Sequence, residues 1–130
     1  MALLPGLTAE VSALVRPDNM ASAMGSGGVD VFSTPMMIAL MEAASYQAVQ
    51  PHLTPGDTTV GTLVSVKHLA ATPGGLTVRA VARLEAIEGK RLVFTVEAFD
   101  DREKVGEGTH ERVVVNQNRF LARVQQKGLS

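Results

Sequence analysis

The chain has no cysteine. That excludes disulfides, thiolate metal sites and a cysteine nucleophile, and it fits a reducing compartment, so the cytoplasm is the expected location. There is no tryptophan and one tyrosine, and 12 Lys and Arg are matched by 13 Asp and Glu. Balanced charge and scarce aromatics argue against a nucleic-acid partner, which needs a basic footprint and stacking side chains, and against attraction to an anionic membrane. No apolar run is long enough to span a bilayer. The opening MALLPGLTAE has no basic segment and is interrupted by Pro5, so it is not read as a signal peptide. With no HExxH motif and no dense His/Asp cluster, no metal is expected; with no Walker loop or dinucleotide fingerprint, no nucleotide cofactor is expected. GSGG (25–28) leads no strand–helix nucleotide unit and reads as flexibility. What the chain does have is 130 residues, 45% apolar, enough for one domain over 1–130 with a real core.

The order of elements is strand, loop, helix, then four strands. LTAEVSALV (7–15) is a weakly patterned first strand, and 17–30 reads as a mobile loop. A helix is expected over 35–49, with Thr34 as N-cap and Pro35 at the first helical position. It is apolar almost all round, which marks a buried helix. Pro51 and Pro55 stop it. In 58–71, Val60, Thr62, Val64, Val66, His68 and Ala70 fall on one strand face. In 76–87, Leu76, Val78, Ala80, Ala82, Leu84 and Ala86 do the same, as do Leu92, Phe94, Val96 and Ala98 in 91–99. A last strand covers 105–115, and 118–127 is a short helix or covering tail. Short turns favour antiparallel neighbours, and a meander with one face to cover needs the one apolar helix. The economical solution is α+β: a hot-dog fold, a curved antiparallel sheet wrapped around one long buried helix. So small a sheet leaves a long edge, so a homodimer or higher oligomer is expected.

Three residues stand out chemically. Thr34 sits at a helix start, where free N–H groups and the helix dipole favour developing negative charge. Glu42 is the only charged residue of the helix, and a buried carboxylate needs a partner, a cavity or a subunit interface. His68 points inward if its face meets the helix, and histidine is the usual proton shuttle near neutral pH. Each has a plain structural alternative: a cap, a solvent-facing or Arg-paired carboxylate, a satisfied core histidine. His110 shares a face with Arg112 beside Glu111 and reads as part of a structural ion pair.

VFSTPMMIALMEAAS, VGTLVSVKHLAATPGGLTV, EGKRLVF and GEGTHERVVVN, in that order and spacing, resemble the fluoroacetyl-CoA thioesterase family of hot-dog proteins over about Val31 to Lys127. The resemblance implies a catalytic group of Thr34, Glu42 and His68. It also implies a role near the acyl group for Gly61 and Arg112. Because Pro35 removes a donor, the N–H groups of Met36 and Met37 become the oxyanion candidates, and Phe32 is taken as a further substrate-binding residue. The family's lid carries aromatic residues, whereas here the stretch ahead of the helix is GSGG with none before Phe32, so selectivity for fluorine is not carried over. The expected activity is hydrolysis of a small or short acyl-CoA to a carboxylate and CoA, with CoA entering only as part of the substrate. Two alternatives stay open: a non-catalytic acyl-CoA or small-ligand binding module, and a hot-dog dehydratase.

Overall fold

Alternation of apolar and polar residues dictates most of the architecture. A computed structural model describes residues 3–129. Its strands are β1 (Thr8–Leu14), β2 (Asp57–His68), β3 (Thr77–Glu88), β4 (Arg91–Phe99) and β5 (Lys104–Asn116). The helices are α1 (Ala21–Met24), α2 (Thr34–Val49) and α3 (Gln117–Gly128). All strand pairs are antiparallel, in the order β1-β3-β4-β5-β2. The hot-dog α+β fold read from the sequence is the fold of the chain. Among the described residues no helix is long and apolar enough to cross a membrane.

The core lies between α2 and the concave face of the sheet. Val78, Ala80, Ala82 and Leu84 of β3 and Leu92, Phe94, Val96 and Ala98 of β4 point at the helix and are buried. From α2 they meet Met37, Leu40, Met41, Ala44 and Ala48. Alanines on both sides let helix and sheet approach closely, and each large apolar side chain buried there contributes about 2 kcal/mol. Ser45, also buried, satisfies its hydroxyl by donating to the Met41 carbonyl at 2.8 Å. The helix lies chiefly over β1 and β3. The β2 side of the sheet is therefore less covered, and β2 is a free edge.

Two bulges change the expected faces. A register shift between Gly61 and Leu63 takes Val60 and Thr62 off the inner face of β2. Thr59 and Gly61 face inward before it, and Val64, Val66 and His68 after it, opposite the inward-facing His110 and Arg112 of β5. A second shift, between Leu84 and Ala86, turns Ile87 inward opposite the buried Leu92 in place of Ala86. The loop expected over 17–30 also differs. It contains a 3-10 turn over Pro17–Asn19 and the single turn α1. Buried Asn19 organises it by accepting from the Arg16 N–H at 2.8 Å and donating to the Leu14 carbonyl at 2.9 Å. The C-terminal segment is helical throughout α3, capped by Asn116, whose side chain accepts from the Arg119 N–H.

Candidate active site

The start of α2 supplies the first half of the site. The cap is Ser33 rather than Thr34: Ser33 Oγ accepts from the Met36 N–H at 3.2 Å, and Ser33 O accepts from the Met37 N–H at 3.0 Å. Two consequences correct the sequence reading. The N–H groups of Met36 and Met37 are engaged by Ser33, and Met37 is fully buried, so neither amide is presented to an oxyanion. The helix-start donor that Ser33 does not engage is the N–H of Thr34. Relieved of capping, the Thr34 hydroxyl turns outward and meets His68 Nδ1 at 2.7 Å. Both line an open cavity of about 320 Å³ with Ala21, Ser26, Val31 and Phe32. Phe32 is 1% exposed, so it forms the floor of this cavity from within the core.

His68 has a second property. Its Nε2 is buried and makes no hydrogen bond. Burial also lowers the pKa of the ring, so the neutral form is favoured. If Nδ1 accepts the Thr34 proton, Nε2 carries the ring hydrogen and is a buried donor without an acceptor.

The second half of the site lies on β5, β2 and the middle of α2. A methyl group built on Gly61 would stand 3.0 Å from Glu42 Oε2, 3.3 Å from His110 Cε1 and 3.4 Å from Arg112 Nη1. These groups converge on the one inward position of β2 without a side chain. Glu42 is half-buried and makes no hydrogen bond or ion pair among the described residues. Arg112 is buried and fixed to Thr59, with Nε donating to Oγ1 at 2.8 Å and Nη2 to the carbonyl at 3.0 Å. The ion pair expected for His110 and Arg112 is not formed. Neighbouring strand residues point to opposite faces, so Glu111 pairs outside with Arg91 at 2.8 Å, while His110 is enclosed against Phe94.

The five residues thus fall into two groups. Thr34 meets His68, while Glu42 and Arg112 both approach the gap over Gly61 without pairing with each other. Glu42 does not reach His68: eight residues of helix separate it from Thr34, a rise of about 12 Å. Gly61 and His68 are a similar or greater distance apart along β2, at about 3.3 Å per residue. Sequence reasoning put His110 on one face with Arg112 but read it only as part of a structural ion pair. No group of His, Asp or Glu suited to a metal occurs among the described residues.

Comparison with known proteins identifies the family. The model of a family described as fluoroacetyl-CoA-specific thioesterase matches residues 15–118. A fluoroacetyl-CoA thioesterase of Streptantibioticus cattleyicolor is 47% identical over 98 residues, covering 75% of this chain and 70% of that protein. A crystal structure of a mutant of the fluoroacetyl-CoA-specific thioesterase FlK superposes with a TM-score of 0.89 at 37% identity, covering 98% of each chain. A thioesterase-superfamily protein of Thermus thermophilus gives a TM-score of 0.90 at 29% identity, covering 98% of this chain and 94% of that one. The match spans the cavity, both groups of polar residues and the sheet that carries them, and this chain belongs to the fluoroacetyl-CoA-specific thioesterase family.

Proposed function

We propose that the chain is an acyl-CoA thioesterase that hydrolyses a small acyl thioester to a carboxylate and free CoA. The observation that carries this reading is the 2.7 Å contact between Thr34 Oγ1 and His68 Nδ1 on the wall of an open cavity. A mutant of a relative of this chain, FlK, has been crystallised with fluoroacetate and CoA, and it aligns with 91% of this chain at 36% identity. A CoA ester as substrate and a chain without cysteine fit a cytoplasmic enzyme.

In this mechanism His68 takes the proton of Thr34 as the hydroxyl oxygen attacks the thioester carbonyl. The carbon–sulfur bond breaks, and the proton passes from His68 to the departing CoA thiolate. Water, deprotonated in turn by His68, attacks the acyl-threonine ester. The ester bond breaks, His68 returns that proton to the Thr34 oxygen, and the carboxylate leaves.

The buried donor on His68 needs an acceptor, and Glu42 of the same protomer is too far along the helix to be it. We infer a homodimer built across the free edge of β2. Leu63 and Val64, 43% and 40% exposed, are apolar and face opposite sides of that edge. Two-fold antiparallel pairing of β2 with its copy, centred near the strand middle, sets the Gly61 end of one protomer beside the His68 end of the other. The partner's Glu42 then completes the site, holding the His68 tautomer and stabilising the imidazolium.

Hybrid dimers test this directly. Glu42→Gln and His68→Ala protomers, each with only a small residual activity alone, are mixed 1:1 and exchanged. Half of the dimers are hybrids, each with one intact site, so thiol release should recover to about a quarter of wild type. Hybrids that stay inactive despite forming would mean that Glu42 and His68 work within one protomer, or not together.

The pH profile gives a second check. Falling pH protonates the His68 base, so kcat/KM must have an acid limb. In Glu42→Gln burial alone acts, and the limb of the residual activity should lie below about 6.5, the ordinary histidine value. In wild type the carboxylate favours imidazolium and moves the limb upward. Coincident limbs in the two proteins would remove Glu42 from contact with His68.

A further inference from the structure

We propose that His110, which takes no part in the reaction above, is a positioning residue that holds the Arg112 guanidinium against the Gly61 gap. The inference rests on the proposed function insofar as that gap belongs to the acyl half of the site.

Hydrogen-bond chemistry fixes the state of His110. Its Nδ1 lies 2.7 Å from the Leu63 carbonyl oxygen, which can only accept, so Nδ1 carries the hydrogen. Its Nε2 lies 3.2 Å from Arg112 Nη1, which can only donate, so Nε2 offers a lone pair. One neutral tautomer satisfies both contacts, and imidazolium satisfies neither the second contact nor the charge of its neighbour. The ring has no freedom to change this. It is 1% exposed and stacked on Phe94 with centroids 6.2 Å apart and planes at 30°. The Leu63 carbonyl that anchors it adjoins the β2 bulge, where the ladder is interrupted. The bulge thus serves two ends: it turns Gly61 inward and supplies the acceptor that orients His110.

Arg112 is held on three sides as a result. Thr59 takes Nε and Nη2, and His110 takes Nη1. Of the five N–H bonds of a guanidinium, one on each terminal nitrogen is left over. Nη1 is also the guanidinium atom nearest the space over Gly61, 3.4 Å from where a methyl carbon would stand, and Glu42 Oε2 lies 3.0 Å from the same point. Thr59 alone holds one edge of the plane; His110 fixes the edge that faces the gap. A neutral acceptor is the one kind of imidazole that can sit beside a buried cation at no charge cost.

Two amide substitutions separate the functions of the two ring nitrogens. His110→Asn keeps a donor near the Nδ1 position for Leu63 but offers Arg112 no acceptor. His110→Gln extends an amide oxygen to the Nε2 position and keeps that acceptor. The Gln variant should stay within about threefold of wild-type kcat/KM, and the Asn variant should lose about tenfold or more, at similar melting temperatures. Equal losses in both, tracking their melting temperatures, would mean that His110 only packs, and an Asn variant with wild-type kcat/KM would mean that Arg112 needs no help. Two NMR readouts need no turnover. The ¹⁵N spectrum of the wild-type imidazole should show the neutral Nδ1–H form at neutral pH; the other tautomer or imidazolium would overturn the assignment. The Arg112 Nε–H resonance should stay slowly exchanging in wild type and Gln and exchange faster in Asn; no difference would overturn the positioning role even if wild type hydrolyses no thioester, an outcome that would separately remove the proposed function.

Discussion

Replacing His68 by alanine should lower kcat/KM for acyl-CoA hydrolysis about a thousandfold while the fold and assembly persist. A positioned general base contributes about 10²–10⁴ in rate, and here one imidazole serves both the attack and the deacylation. Its structural share is small. His68 ends an edge strand, is only half-buried, and makes one side-chain hydrogen bond among the described residues, to Thr34. The backbone pairing of β2 with β5 does not depend on the ring, so the melting temperature should change little. Thr34→Ala should cost about as much, because the base then has no hydroxyl to activate, and Thr34→Ser should retain activity within about tenfold. The double variant is the sharper measurement. Residues that act as one unit are strongly non-additive, so Thr34→Ala with His68→Ala should be no slower than either alone. Multiplying losses would mean that Thr34 only orients the thioester while His68 activates water independently. An acyl group trapped on Thr34 by rapid quench and mass spectrometry would support the covalent route, and its absence under conditions of burst release would weigh against it.

Much of this arrangement was legible in the sequence, for physical reasons that vary by element. In β3 and β4 a period of two over long segments leaves one solution for which side chains face the helix, apart from the bulge at Glu85. The all-round apolar character of α2 required it to be buried. The cap was harder to read. Ser33 and Thr34 are both good cap residues, and the choice is made by a tertiary contact, since the Thr34 hydroxyl has His68 to meet. The face of β2 was misread only at Val60 and Thr62, because one extra residue at the bulge exchanges the two faces there, and Gly61 inside the strand was the only local sign of it. His110 was misread because Glu111 is its neighbour in sequence, although alternation places the two on opposite sides of the sheet. The triad was legible as three residue types but not as one constellation. Eight helical residues between Thr34 and Glu42 already imply about 12 Å, too far for one protomer to close the contact along a straight helix.

Placing a methyl group on Gly108 should cost the fold about 3 kcal/mol, and with it the site. Gly108 lies in β5 opposite Val66 of β2. A Cβ there would overlap the Ser65 carbonyl oxygen and stand 2.6 Å from Val66 Cα and 2.8 Å from Val66 Cγ1. The obstacles are mainly backbone, so no rotamer change relieves them, and β2 must move away from β5. That pairing carries the whole of β2 up to His68 opposite Gly106. Displacing it by more than about 0.5 Å stretches the Thr34–His68 contact from 2.7 Å past hydrogen-bond range. Gly108→Ala should therefore lower the melting temperature by roughly 10 °C and reduce kcat/KM at temperatures where it is still folded. The control is Gly89→Ala in the β3–β4 turn. There the added methyl meets nothing within 4 Å, but φ is +65°, so the cost is backbone strain of about 1 kcal/mol with no path to the site. Its activity should be unchanged. If Gly108→Ala melts with wild type, β2 and β5 are not held at close spacing at this point. If it melts early yet keeps full kcat/KM while folded, His68 is positioned by the helix end rather than by its strand.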